Sequence, residues 1–148
     1  MELKIGRDTL LAISAVAWAD GSIEPGEAAA LRHAAQHLLS DGADVAEVEK
    51  SLTKPVTLDE VETVRMNRLV RLFTYAACVW MAELEGRSSQ AEAGTLQLLG
   101  DRLGLSALAR QRAQEVVRGI AQRSAPGTFD LVELRSRLSA GLSQIGDA

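Results

Sequence analysis

Residues 69–80 read LVRLFTYAACVW, and this stretch decides the fold class of the chain. Apolar side chains fall on nearly every face of a helix drawn through it, and the helical spacing continues to Leu84. Residues 10–18, LLAISAVAW, have the same character. Because a helix without a polar face belongs in a protein interior, the two segments predict a central pair of apolar helices with more amphipathic helices packed around them.

The composition also favours helices. Of the 148 residues, 47% are apolar but only 3% are aromatic, so Ala and Leu dominate the apolar set. Ala and Leu lose little rotamer freedom in a helix, whereas β-branched and aromatic side chains favour sheets. We therefore expect an all-α fold of about seven helices without a strand. The length predicts a single domain over residues 1–148.

Cap signals predict where several helices begin. Asp8 is placed to cap the first helix. Thr57 and Glu60 have the spacing of a capping box, which predicts one long helix from there to about Glu85. Ser106 is placed to start a later helix.

The chain repeats a pattern at an offset of 65 residues, at which Gly21 falls on Gly86. At the same offset, like falls on like in five further pairs: Ala17 and Ala82, Asp20 and Glu85, Glu27 and Glu92, Leu31 and Leu96, and Leu38 and Leu103. The first copy covers about 8–40 and the second about 66–105, with C-terminal helices over about 106–146. Since one copy alone would bury little, we expect the copies to pack about a pseudo-two-fold axis.

The sequence of the first loop resembles a known family. Residues 19–27, ADGSIEPGE, resemble the signature A-D-G-x-[IV]-x-x-x-E of TerB-like domains, which also occur in a membrane-anchored DnaJ-like co-chaperone. Residues 85–92, EGRSSQAE, are similar to its second occurrence, and residues 103–106, LGLS, to the segment that follows. The resemblance extends from about residue 8 to 122.

This resemblance implies a compact helical domain with paired acidic loops, connected with chemical stress such as tellurite. The family positions suggested to bind a divalent metal correspond here to Asp20, Glu27, Glu85 and Glu92. The second copy departs from the family pattern, because Glu85 replaces the usual Asp and Ser88 replaces an apolar residue. The chain lacks the His-Pro-Asp tripeptide of J-domains, so direct co-chaperone action on an Hsp70 is not supported.

The acids of the first loop have two interpretations that do not depend on the family. Asp20 lies at a predicted helix end, with Glu24 and Glu27 at the start of the next helix, where carboxylates are stabilised by free N–H groups and the helix dipole. Alternatively, these three acids, with carboxylates from the second loop, hold Ca²⁺ or Mg²⁺ through oxygen ligands. An EF-hand is excluded, because Gly21 directly follows Asp20.

Three other reactive side chains fit structural roles best. His33 and His37 have the spacing of a metal-binding pair on a helix, but the residues between them contain no glutamate, and we interpret them as two surface histidines. Cys78 lies within an apolar run, which is typical of a packed core thiol rather than a nucleophile. No phosphate-binding glycine loop or nucleophile elbow occurs in the sequence.

Charge and hydropathy limit the partners. The net charge is −4, and residues 1–60 carry 11 acids against 5 bases, so nucleic acid is not expected as a partner. Arg65, Arg68 and Arg71 form a helical stripe that we interpret as a solvated face. No signal peptide and no apolar stretch of ~18 residues occur, which predicts a cytoplasmic location without membrane insertion.

Together these patterns predict a non-enzymatic binding or scaffold domain that engages a protein partner through the surface around its acidic loops, with or without a divalent cation. Two alternatives stay open. An enzyme would bring Glu27 and Glu92 together in a pocket with perturbed pKa values. A structural homodimer would expose a large apolar patch on the last helix.

Overall fold

The computed structural model describes residues 5–21, 23, 25–64, 66–85, 90–121 and 131–143. Within these ranges the backbone alone is described for some residues: 20, 81–85, 90–92, 120–121, 131–133, 139–140 and 143. Glu24, Arg65, Gly86 and Ser88, which the sequence singled out, lie outside the described residues.

The described residues form seven α-helices and no strand, so the predicted all-α fold is confirmed. The helices are α1 (Arg7–Ala17), α2 (Pro25–Leu38), α3 (Gly42–Ser51), α4 (Arg68–Glu85), α5 (Gln90–Arg102), α6 (Ala107–Ala121) and α7 (Leu131–Ser143). Two 3₁₀ turns, η1 (Trp18–Asp20) and η2 (Leu58–Glu60), follow α1 and precede α4. None of the helices in the described ranges combines the length and apolarity needed to cross a bilayer.

The two apolar helices predicted from the sequence, α1 and α4, pack against each other in the core. Every residue of α1 from Thr9 to Ala17 is buried, and so is every residue of α4 from Leu72 to Trp80. The hydroxyl oxygens of Thr9 and Thr74 lie 2.9 Å apart and share a buried hydrogen bond between the helices. This bond satisfies polar groups that would be costly to bury alone.

The prediction of one helix from Thr57 to Glu85 is wrong at its start. The capping box is present, and the Thr57 N–H donates to Glu60 Oε2 over 2.9 Å, but it opens only the turn η2. The chain then becomes extended at Val61, whose side chain is buried. Asn67 supplies a new start for α4, because its side chain accepts a hydrogen bond from the Val70 N–H over 2.9 Å. The predicted helix therefore does not continue through this segment, because the Val61 side chain is buried with its backbone extended.

Of two other predicted helix starts, the cap at Asp8 is wrong and the start at Ser106 is confirmed. Helix α1 begins at Arg7, so Asp8 lies inside its first turn and accepts a hydrogen bond from the Glu62 N–H over 3.2 Å instead of capping the helix. Ser106 acts as predicted, because its hydroxyl accepts a hydrogen bond from the Ala109 N–H at the start of α6.

Arg71 corrects the interpretation of the arginine stripe as a solvated face. Its guanidinium donates to the backbone carbonyls of Thr63, Met66 and Leu103 over 2.8–3.0 Å. The side chain thus joins the segment before α4 to the end of α5. Arg68, on the same helix, is exposed.

Helix α7 completes the core on one side of the molecule. It packs against α2, α4 and α6, and its leucines Leu134, Leu138 and Leu142 are buried. At Gly141 it approaches α6 closely, since a Cβ there would lie 2.8 Å from Cγ1 of Val116.

The helix starts follow the offset of the sequence repeat. Helices α2 and α5 begin at Pro25 and Gln90, and α3 and α6 begin at Gly42 and Ala107, so both pairs are 65 residues apart. The bonded residues Thr9 and Thr74 are separated by the same 65 positions. A contact between equivalent residues is expected beside a two-fold axis. The repeat itself stays a prediction.

Candidate functional site

The first predicted acidic loop begins where α1 tightens into η1. Gly21 ends this turn at φ 91°, a left-handed conformation that favours glycine, and its N–H donates to the Trp18 carbonyl over 2.8 Å. Asp20 is the last residue of η1, and α2 then begins at Pro25. The helix end predicted at Asp20–Gly21 is therefore correct.

Of the five predicted metal ligands, Glu27 is the one whose side chain the structure describes. It lies in the first turn of α2 and is 6% exposed. Glu85 is the last residue of α4 and Glu92 lies near the start of α5. The part of the chain whose side chains are described contains no cluster of three metal-ligating groups. The position of Glu27 at a helix N-terminus favours its role as a structural carboxylate there.

The turn η1, which ends at Asp20, lies against α5. Thus the turn that ends in Asp20 contacts the helix whose first residues include Glu92. Helix α5 also packs directly on α1. The surface at this contact adjoins the first acidic loop and is a candidate for binding.

A groove of about 460 Å³ opens there between η1, residues 55–59 and α5, and we call it the η1–α5 groove. Its walls are mostly apolar and include Ala15, Trp18 and Leu98. Leu98 is 60% exposed, and it is one of three large apolar side chains that are exposed among the described residues. The groove therefore presents apolar surface that the chain itself leaves uncovered.

Trp18 is held in place on one wall of the groove. Its indole Nε1–H donates to the Ser51 carbonyl over 2.7 Å, and the Ser14 hydroxyl donates to the same carbonyl over 3.0 Å. These two bonds fix η1, through Trp18, and α1, through Ser14, to the end of α3. The wall is thus preformed rather than assembled on binding.

The rim of the groove carries exposed charges. Arg102 pairs with Asp59 at 3.3 Å, and Arg110 pairs with Asp101 at 2.9 Å. The side chains of Asp59 and Asp101 are 91% and 62% exposed, so both pairs are solvated and contribute little to stability. Because each carboxylate is paired with an arginine, the two pairs give the rim no net charge.

A second cavity, of about 530 Å³, lies between the start of α1, the end of α3 and the segment after it. Arg7, Lys50 and Lys54 line it together with Glu47, Glu60 and Glu62. Its three cations and three carboxylates offset one another, so the cavity has no net charge to select an ion.

The remaining reactive side chains lie where the sequence predicted, with the two histidines on the surface and Cys78 in the core. His33 and His37 are exposed, with ring centroids 4.1 Å apart and His37 Nδ1 3.0 Å from the His33 carbonyl oxygen. Cys78 is fully buried, and this burial raises the pKa of its thiol, so the group stays neutral and unreactive.

The sequence interpretation missed the groove, although one signal was present. Leu96, Leu99 and Leu103 form a helical stripe on α5, in which Leu99 and Leu103 are buried and Leu96 is half-buried, and Leu98 lies outside this stripe. An apolar residue away from the buried stripe of a helix can mark a binding surface.

The fold and the groove together define a small all-helical domain with a partly apolar surface groove. Comparison with family models, with curated proteins and with solved structures finds no match for this chain. The TerB-like resemblance is therefore a proposal that depends on the loop sequences.

Proposed function

We propose that the chain is a non-enzymatic binding domain of the TerB-like kind, which acts in a stress response by holding a protein partner at the η1–α5 groove. The groove is the observation that carries this proposal. It combines about 460 Å³ of space with an exposed Leu98 and a fixed Trp18, directly beside the first acidic loop. Apolar side chains in a preformed pocket with a charged rim are typical of protein-binding sites.

The reactive side chains among the described residues favour a binding function over a catalytic one. The Cys78 thiol is neutral and enclosed, and the two histidines lie on the exposed face of α2. Glu27 is buried in the first turn of its helix rather than placed at the mouth of a cavity. Nothing in this set provides a nucleophile next to a base.

The last helix offers little support for the homodimer alternative. The leucines Leu134, Leu138 and Leu142 of α7 are buried within the same chain. The apolar face that a dimer would have used is thus already covered by α2, α4 and α6. The large apolar side chains that are exposed among the described residues lie elsewhere: Leu98 on α5, Leu108 on α6 and Val64 before α4.

The proposal is tested by photo-crosslinking in the cells that produce this chain. A benzophenone amino acid replaces Leu98 in one variant and Leu108, which is 47% exposed on α6, in a matched control. We expect one or a few proteins to be captured from position 98 and not from position 108. The same proteins captured from both positions, or none from either, would contradict a partner site at the groove.

The stress assignment has its own test. Growth in tellurite is compared for cells with the wild-type gene, a deletion, Leu98→Asp and Leu108→Asp. We expect the deletion and Leu98→Asp to reduce survival to the same extent, with Leu108→Asp like wild type. If the deletion grows as well as wild type under tellurite, the stress assignment is wrong while the binding site can still stand on the crosslinking result.

A further inference from the structure

We infer that the partner seats a single amphipathic helix in the η1–α5 groove, at the place that α7 occupies in the other half of the molecule. This inference rests on the proposed function and gives the chemistry of the partner. It draws on three observations: the contacts of α7, the unequal burial of α2 and α5, and the leucine face of α7.

The first observation is the position of α7. It lies against α2, α4 and α6. At the offset of 65 residues, the counterparts of these helices are α5, α1 and α3. The η1–α5 groove is bounded by α5, by the end of α1 with η1, and by the segment that follows α3. It therefore lies between two of the three counterparts, α5 and α1, while residues 55–59 rather than α3 form its third wall.

The second observation is that the equivalent positions are covered unequally. Ala30 and Leu31 on α2 are both buried. Their counterparts on α5, Thr95 and Leu96, are only partly buried, and Thr95 lines the groove. Helix α5 is thus more exposed to solvent at positions where α2 is buried.

Residues 55–60 supply part of the missing cover. The turn η2 contacts α1, and Val56 and Leu58 are buried. Three residues of 3₁₀ turn cover less surface than a helix of 13 residues such as α7. The groove that remains is shallower than the site that holds α7, so we expect a micromolar rather than a nanomolar dissociation constant.

The third observation concerns the chemistry of the occupant. The buried leucines of α7 recur at intervals of four residues, which places Leu134, Leu138 and Leu142 along one face. The carboxylates of Asp59 and Asp101 at the rim are each paired with an arginine, so charge does not select the occupant. The partner helix should therefore carry a leucine face like that of α7.

The test uses the full-length protein and a fluorescent peptide with the sequence of residues 131–143. The peptide is capped at both ends and stapled across its polar face, because an isolated helix of this length is marginal in water. Fluorescence anisotropy should show saturable binding, with a Kd on the order of 10–100 μM. Leu98→Asp should weaken it at least about ten-fold by placing a charge against the leucine face. Leu108→Asp should leave it within about two-fold of wild type.

Two results would overturn the inference. One is no saturation up to ~1 mM peptide with a protein shown by circular dichroism to be folded. The other is equal binding to wild type and Leu98→Asp, which would indicate exchange with α7 itself or non-specific association. A peptide with Leu138→Asp should not bind. If crosslinking from position 98 captures a partner but the peptide fails, the helix inference is wrong and the proposed function stands.

Discussion

The two halves of the molecule, α1–α3 and α4–α6, begin their second and third helices at equivalent positions but are covered differently. In one half, α7 packs on α2 and α4, and apolar residues of α2 such as Leu31 are buried. In the other, the short turn η2 leaves the η1–α5 groove and an exposed Leu98. The fold is thus enclosed on one side and retains exposed apolar surface on the other, where we propose that a partner binds.

The halves also differ in how their segments are tied together. Arg71 in the second half bonds three backbone carbonyls, one of them at Leu103, where α5 ends. Its counterpart 65 positions earlier is Gly6, which has no side chain to make such bonds. The four predictions below test these differences in order of decreasing effect.

Truncation of a leucine should lower the free energy of unfolding much more on the side that α7 covers than at the η1–α5 groove. Leu138→Ala removes a fully buried side chain of α7, and we expect a loss of about 3 kcal/mol in the free energy of unfolding. The matched change Leu98→Ala should cost no more than ~0.5 kcal/mol, since Leu98 is mostly exposed. Urea denaturation followed by circular dichroism measures both. Equal losses would mean that the groove is closed in solution.

Arg71→Met should be the next largest change. It keeps much of the side-chain volume but removes three hydrogen bonds from a charged donor and leaves partly buried carbonyls without them. We expect a loss of about 2 kcal/mol by the same urea experiment. The exposed Arg112 gives the control, and Arg112→Met should change stability by less than ~0.5 kcal/mol. A similar effect of the two variants would contradict the structural role of Arg71.

A double-mutant cycle on Thr9 and Thr74 tests the contact between the central helices. Each single change to Val should cost about 1 kcal/mol, because it breaks a buried hydrogen bond. The double variant should cost less than the sum of the two, with a coupling of about 1 kcal/mol. Additive effects would show that the two hydroxyls do not interact in solution.

The acidic loop should give the smallest effect. Glu27→Gln removes a carboxylate from the N-terminal turn of α2, and we expect a loss of about 0.5–1 kcal/mol. Adding Ca²⁺ or Mg²⁺ to metal-stripped wild type should leave its Tm unchanged if the acids of this loop are structural. A rise in Tm that is absent in Asp20→Asn and Glu27→Gln would instead establish an ion site, because a ligand of the folded state raises Tm by mass action.

The sequence was sufficient for the features that depend on local pattern. Continuous apolar runs predicted the buried pair α1 and α4, and Gly21 and Ser106 marked a helix end and a helix start correctly. It failed where distant contacts decide the outcome. Burial of the Val61 side chain ends the turn η2. The Arg71 guanidinium donates a hydrogen bond to the distant carbonyl of Leu103 instead of facing solvent.

The groove could not be predicted for the same reason, because three segments distant in sequence form it. Leu98 signals an exposed apolar residue, but nothing local shows that Trp18 and residues 55–59 face it. The position of α7 was equally hidden, since leucines at helical spacing show which face is buried but not which helices bury it.

The most direct test of whether the η1–α5 groove binds a helix is NMR of the labelled full-length protein. The stapled peptide of residues 131–143 is titrated while the leucine methyl groups and both tryptophan indole N–H signals are followed. We predict saturable shifts at Leu98 and Trp18 and none at Leu108 or Trp80. Shifts centred on the residues of α2 and α4 that contact α7, with Leu98 and Trp18 unchanged, would contradict binding of a helix in the groove.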